Sequence, residues 1–230
     1  HVVDKNSMRT VLSLAASQDL KLYSFDISNA YLQAELKEVI YMEPPPGMNI
    51  PADECLALMR PIYGTKQGGR MFSDALDAHL KKLGFKQNVA DPCVWTRTRN
   101  GKPQIITSYV DDCTVAVMDD KARDELMSEM RERFEIKEGE GQPINYLLGI
   151  LIKQDLEAGT VTLTQELAAT KLADAFLTEE EKVKASSVNH PMLQSVVLPR
   201  LKEKEVSKEK FNYVSAIGSL LYLSGCTRPD

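Results

Sequence analysis

Apolar and polar residues follow two different periods along this chain, and each change of period marks an element. Residues 2–18 carry Val3, Met8, Val11, Leu12, Leu14 and Ala15 at helical spacing, which predicts an amphipathic helix. Residues 21–25 form a short apolar strand, and 39–43 a second one stopped by Pro44, Pro45 and Pro46, with 54–59 as its partner. Residues 70–83 return to helical spacing through Phe72, Leu76, Leu80 and Leu83 and end at Gly84. Residues 94–97 and 104–109 predict a hairpin around Asn100-Gly101, and 121–134 a helix opened by Asp119-Asp120. The chain changes character at Gly139-Glu-Gly-Gln-Pro143. Two strands, 146–154 and 160–163, are then expected around a turn at Glu157-Ala-Gly159, followed by a helix over 165–176. Residues 178–210, rich in Glu, Lys, Ser and Pro, predict a linker with little regular structure, and 212–224 a final helix containing Gly218.

Composition narrows the class. The 230 residues suffice for a substantial core, and 43% apolar with 27% charged residues is ordinary globular usage. No apolar run approaches the roughly 18 to 20 residues of a membrane span. The opening residues do not form a signal peptide. Cys55, Cys93, Cys113 and Cys226 are widely spaced, which argues against a disulfide framework or a zinc site and for a reducing, cytoplasmic setting. The net charge of −5 speaks against a nucleic-acid partner, but its distribution does not. Residues 60–102 hold nine basic and three acidic side chains, whereas 119–140 hold nine acidic and five basic. Such asymmetry predicts one face for phosphates and another for water.

The chemistry concentrates at two acidic sites. Asp26 ends the strand at 21–25 and is followed by Ile27-Ser-Asn-Ala-Tyr31, a turn whose backbone N–H groups can face a phosphate. The second site is Ile105-Ile-Thr-Ser-Tyr-Val-Asp-Asp-Cys-Thr-Val-Ala-Val117, with Asp111 and Asp112 between two β-prone runs and therefore at a hairpin tip. An Asp-Asp pair alone is an ordinary solvated turn. Side by side with Asp26, it makes three carboxylates that call for a divalent cation.

Phe25-Asp-Ile-Ser-Asn-Ala-Tyr-Leu32, Val39-Ile-Tyr-Met-Glu-Pro-Pro-Pro-Gly-Met48, Pro61-Ile-Tyr-Gly-Thr-Lys-Gln-Gly-Gly-Arg70, Tyr109-Val-Asp-Asp112 and Tyr146-Leu-Leu-Gly-Ile150 occur in that order. Tyr213-Val-Ser-Ala-Ile-Gly-Ser-Leu-Leu-Tyr-Leu223 and Cys226-Thr-Arg-Pro-Asp230 close the chain. In this order and spacing the sequence resembles the reverse transcriptase of copia-type retrotransposons, the palm region of a Pol polyprotein. The resemblance implies an α+β fold in which an antiparallel palm sheet is backed by the helices at 70–83 and 121–134. Partial fingers would come from 39–59 and a partial thumb from 165 onward. The domains it implies are 1–163, fingers and palm, and 164–230, a thumb-like helical region with a polar linker at 178–210. If the helices cover one face only, the other becomes the floor of a nucleic-acid cleft.

The implied function is RNA-directed DNA polymerisation, with dNTP, RNA template and DNA primer as partners and magnesium (Mg2+) or manganese (Mn2+) as cofactor. Asp26 and Asp111 would be the principal metal ligands and Asp112 the auxiliary acid, since consecutive strand residues point oppositely and only one can face Asp26 well. The nucleotide would be bound by Ile27, Ser28, Asn29, Ala30, Tyr31, Gln67 and Gly68, with Tyr31 under the sugar as the group that excludes a 2′-hydroxyl. Lys66 and Arg70 would lie near phosphate. Tyr109, Leu148 and Gly149 would meet the nucleic acid, and Tyr146-Leu-Leu-Gly-Ile150 would hold the primer terminus. Lys137 stands where such polymerases keep a lysine that protonates pyrophosphate. Because the sequence begins at His1 and ends at Asp230, it is expected to be part of a longer reading frame, with ribonuclease H and integrase elsewhere in the polyprotein and virus-like particles as an alternative location. Two rival readings are a domesticated or decayed element that binds nucleic acid without turnover, and a metal-dependent nuclease with a similar acid cluster.

Overall fold

The computed structural model describes residues 2–51, 53–137, 139–185 and 212–229. In chain order these residues form α1 (Lys5–Ser17), β1 (Lys21–Asp26), β2 (Ile40–Met42), β3 (Leu56–Leu58), α2 (Gly68–Lys82), β4 (Lys86–Gln87), β5 (Val94–Arg99), β6 (Lys102–Tyr109), β7 (Asp112–Val117) and α3 (Asp120–Arg131). There follow β8 (Gln142–Pro143), β9 (Tyr146–Leu147), β10 (Ile150–Asp155), β11 (Thr160–Thr164), α4 (Glu166–Phe176), α5 (Glu179–Ala185) and α6 (Tyr213–Cys226). The main sheet has six strands in the order β4-β5-β6-β7-β1-β8, and every pairing described in it is antiparallel.

Helices α1 and α3 both pack against β7, and α2 packs against β4. Each turns one apolar stripe inward: Met8, Val11, Leu12 and Ala15; Phe72, Leu76 and Leu80; Leu126, Met127 and Met130. Gln104 to Ser108 and Cys113 to Val117 are buried without a break, so both faces of β6 and β7 are covered in mid-strand. The condition set for an open floor, one uncovered face, is therefore not met along the middle of these two strands. At the turn between these strands exposure returns: Tyr109, Val110 and Asp111 are half-buried and Asp112 is exposed.

Four local expectations also change. Val2 and Val3 are extended, not helical: Val2 bridges Tyr109, Val3 donates its N–H to the Ser108 carbonyl, and Asp4 caps α1. Residues 142–143 form the edge strand β8 against β1, a position where proline forfeits no ladder bond. The strand expected over 146–154 is broken by a turn at Leu148-Gly149. Within 178–210, Glu179–Ala185 is a short helix, and residues 186–210 of the expected linker lie outside the described residues.

The chain divides into two units, residues 1–147 with 152–162, and residues 148–151 with 163–230. The first contains the six-stranded sheet and α1 to α3, the second α4 to α6. Among the described residues no helix is long and apolar enough to cross a membrane.

Candidate active site

Asp26 is the last residue of β1, and its partner across the ladder is Asp112, the first residue of β7. Tyr109 pairs with Asp112, so Val110 and Asp111 are the two central residues of a tight turn. Val110 has φ 59°, a left-handed conformation that a β-branched side chain rarely adopts and that costs on the order of 1–3 kcal/mol. The Ile27 N–H donates to the Asp111 carbonyl at 3.1 Å, which ties the turn to the chain leaving β1. Two short apolar runs thus bring together acids eighty-five residues apart in sequence.

Burial, then the charges of Asp111 and Glu140, raise the Asp26 carboxyl above the ordinary aspartate range, while Lys137 pulls it down. Desolvation and the charges of Asp111, Asp26 and Glu140 raise Asp112 in the same direction. Lys137 is exposed yet close enough for its charge to be felt at Asp26. Glu140 is the member that sequence reasoning missed. The β8 edge strand carries it there, and its carboxylate accepts the Asp26 N–H at 3.1 Å. The only trace in the sequence is an acid between Gly139 and Gly141.

Hard carboxylate oxygens suit magnesium or manganese, and mutually raised acids are what a divalent cation relieves, so the donor set fits such an ion in kind. Among the described residues no three His, Cys, Asp or Glu side chains gather closely enough to hold an ion. Like charges repel, and the Tyr63 hydroxyl engages the Asp111 carboxylate at 3.0 Å.

Tyr31 sits on a 3₁₀ turn, Ala30–Gln33, entered through Asn29 at φ 48°. Its half-buried ring stacks on Tyr63 with centroids 4.3 Å apart and leans on Phe72 at 6.3 Å. A Cβ on Gly68 would stand 3.3 Å from the Tyr31 ring and 2.6 Å from the Thr65 hydroxyl, and one on Gly69 would stand 3.1 Å from the Tyr31 hydroxyl. The glycines therefore admit Tyr31 itself. A cavity of about 190 Å³ beside Tyr31 is lined by Val2, Gly69, Phe72, Ser108 and Val110. That is less than the roughly 300–1,000 Å³ of sites that enclose a whole small molecule.

Other candidates are placed differently from expectation. Ile27 and Ala30 are fully buried and present no side chain to a ligand. The Ile27 and Ser28 amides bond the carbonyls of Asp111 and Glu135, so neither faces a phosphate. The Ser28 hydroxyl is buried without a partner among the described residues. Gln67 stands at the N-cap of α2 without a side-chain capping bond, Lys66 is exposed, and Arg70 pairs with Asp74 at 2.8 Å. Three of the nine basic side chains of residues 60–102 pair with the acidic segment: Arg97 and Arg99 both bind Glu129, and Lys102 binds Asp119. Asp119 also caps α3 by accepting the Ala122 N–H, as expected of a helix start.

The sequence matches the family described as "Reverse transcriptase (RNA-dependent DNA polymerase)" over residues 1–193. The chain belongs to the reverse transcriptase family. Similar proteins include the retrovirus-related Pol polyprotein from transposon TNT 1-94 of Nicotiana tabacum, 31% identical over 100% of the chain and 17% of that protein. The Pol polyprotein from transposon RE2 of Arabidopsis thaliana is 29% identical over 100% of the chain and 15% of that protein. The Ty1-DR1 Gag-Pol polyprotein of Saccharomyces cerevisiae is 29% identical over 66% of the chain and 9% of that protein. Its plant relatives mark it as a copia-type reverse transcriptase, and it spans less than a fifth of the length of the polyproteins it matches.

In this chain Leu148 and Gly149 are both left-handed, at φ 49° and 77°, which makes the two-residue turn between β9 and β10. The second unit holds the turn: the Tyr222 hydroxyl donates to the Leu148 carbonyl, and a Cβ on Gly149 would collide with that hydroxyl. Gly149→Ala is expected to cost about 1–3 kcal/mol through the strained φ and the displaced tyrosine. Urea unfolding measures it, and an unchanged midpoint would contradict the turn.

Proposed function

We propose that the chain carries the polymerising centre of a retrotransposon Pol polyprotein, adding deoxynucleotides to a primer 3′-hydroxyl under the direction of an RNA template. The observation that carries this reading is Asp26 paired across the ladder with Asp112, beside the tight turn that holds Asp111. Asp26 and Asp111 would hold magnesium, with Asp112 as the auxiliary acid. When bound, the cation supplies charge stabilisation to the attacking and leaving oxygens. The rest of the catalytic work is positioning and exclusion of wrong substrates, since phosphoryl transfer needs little covalent chemistry from the protein.

Tyr31 takes the place under the incoming sugar, with Gln67 against the nucleotide and the template, Gly68 and the Asn29 turn around it, and Lys66 and Arg70 towards phosphate. Lys137 supplies a proton to the departing pyrophosphate. Tyr109, Leu148 and Gly149 meet the primer–template. The six-stranded sheet with its helices serves as palm, β2 and β3 as part of the fingers, and residues 164–230 as part of the thumb.

Primer extension on poly-rA primed with oligo-dT tests the reading. Extension with magnesium supports it, cleavage supports a nuclease, and retardation of the primer–template without either supports a relic. Tyr31→Ala should raise incorporation of ribonucleotides relative to deoxynucleotides about tenfold or more, because a steric block at the 2′ position disappears. An unchanged ratio would remove Tyr31 from that role.

A further inference from the structure

Tyr63 lies outside every residue so far given a role, yet it touches both halves of the site. Its ring stacks on Tyr31 with centroids 4.3 Å apart and planes 22° from parallel, and its hydroxyl donates to Asp111 Oδ2 at 3.0 Å. Tyr31 is held by Phe72 and by the Gly68–Gly69 backbone, all parts of α2. Tyr63 comes instead from the loop before α2, where Thr65 N–H closes a turn onto the Ile62 carbonyl and Gly64 takes φ 96°. The Tyr63 residue is 55% exposed, a large area for an aromatic ring that a solvated loop would be free to release. Two contacts of different chemistry, a stacked face and a charge-assisted hydrogen bond, fix it there.

We infer that Tyr63 is a specificity-determining residue of the nucleotide site. Its ring is the second layer of the wall that excludes a 2′-hydroxyl, and its hydroxyl holds Asp111 in register with that wall. This rests on the reading of Tyr31 as the group under the sugar. A single ring supported only from α2 can tilt away from an extra hydroxyl, whereas a ring clamped between Tyr63 and α2 cannot. The hydrogen bond does separate work: it occupies Oδ2 of Asp111 and limits rotation of that carboxylate, so Tyr63 acts on the metal-binding acid by positioning it.

The test is equilibrium binding of dUTP and UTP, which differ at the 2′ position alone, to the full chain on poly-rA with a dideoxy-terminated oligo-dT primer in magnesium. Gel retardation of the ternary complex reads the two dissociation constants without turnover. Tyr63→Ala should shrink the preference for dUTP about tenfold, chiefly by tightening UTP. Tyr63→Phe keeps the stack, so it should retain the preference while both nucleotides bind several-fold more weakly, the scale of one ordinary hydrogen bond lost from the positioning of Asp111. Tyr31→Ala, measured alongside, should lose the preference as Tyr63→Ala does.

If Tyr31→Ala relaxes the preference and Tyr63→Ala leaves it intact, the inference about Tyr63 is wrong and the Tyr31 reading stands. If Tyr31→Ala keeps the full preference, both fall. Tighter binding of dUTP and UTP alike by Tyr63→Ala would mean that Tyr63 occupies the sugar's own position, which also overturns the inference.

Discussion

Asp111→Asn is expected to abolish primer extension and, at the same time, to raise the melting temperature of the metal-free protein. Asp111 is the first charge acting on both Asp26 and Asp112, and with burial it lifts each above the ordinary aspartate range. An acid whose folded pKa is raised contributes stability that is full below its unfolded pKa and lost as pH rises through the folded value. At neutral pH the unmutated site therefore carries the whole cost, and Asn relieves part of it. Below about pH 4, where the unfolded carboxyls also protonate, the advantage of the variant should vanish. Asn keeps an oxygen that can accept from Tyr63, so the turn survives.

Millimolar magnesium should raise the melting temperature of the unmutated chain and leave the variant unmoved, because a ligand stabilises only the state that binds it. Extension should fall about a thousandfold or more, since the cation's share of charge stabilisation is several kcal/mol. Asp119→Asn is the control. Asp119 caps α3 and pairs with Lys102, and its substitution should alter neither extension nor the response to metal. Equal damage from both variants, or a melting curve of the unmutated chain indifferent to metal, would refute the site.

Phe134→Ala is expected to destabilise the first unit by about 3–5 kcal/mol, the usual cost of emptying a buried aromatic position. Phe134 is 2% exposed and sits edge-on to Phe72, with centroids 6.0 Å apart, and to His79, at 5.5 Å. His79 in turn bonds the Glu129 carbonyl, so the ring fills the seam between α2 and α3. Phe72 bears on Tyr31, and the cavity left behind should loosen Tyr31 as well. The variant should therefore discriminate less against ribonucleotides even where enough of it remains folded to assay. Phe134→Leu, which refills most of the volume, should recover the larger part of both losses. Urea unfolding gives the first quantity and the ratio of ribonucleotide to deoxynucleotide binding the second. A loss below about 1 kcal/mol would mean that the seam collapses around the gap.

The expected helices at 70–83 and 121–134 and the hairpin around Asn100-Gly101 are found within two or three residues of their predicted ends. These elements are set by local forces: apolar spacing, the Asp119 cap, and glycines at positive φ. Glu140 was not legible because β8 has only two residues and contains a proline, too short a run for any period to register. The break at Leu148-Gly149 was hidden because Leu in a left-handed turn leaves no mark in an apolar pattern, and Tyr222, seventy-four residues away, is what holds it.

The sequence by itself determined the longer helices and the Asn100-Gly101 hairpin, which acids sit at strand ends, and, through five ordered motifs, the family. Those properties follow from neighbours within a few residues or from an order of segments that folding does not alter. Only the tertiary structure decided that Asp26 faces Asp112 across the ladder, that Glu140 joins them, that Tyr63 links Tyr31 to Asp111, and that Arg97, Arg99 and Lys102 pair with Glu129 and Asp119. Each of these depends on contact between residues far apart in the chain, and for Asp26 and Asp112 a shift of one residue in register would have turned the side chain to the other face.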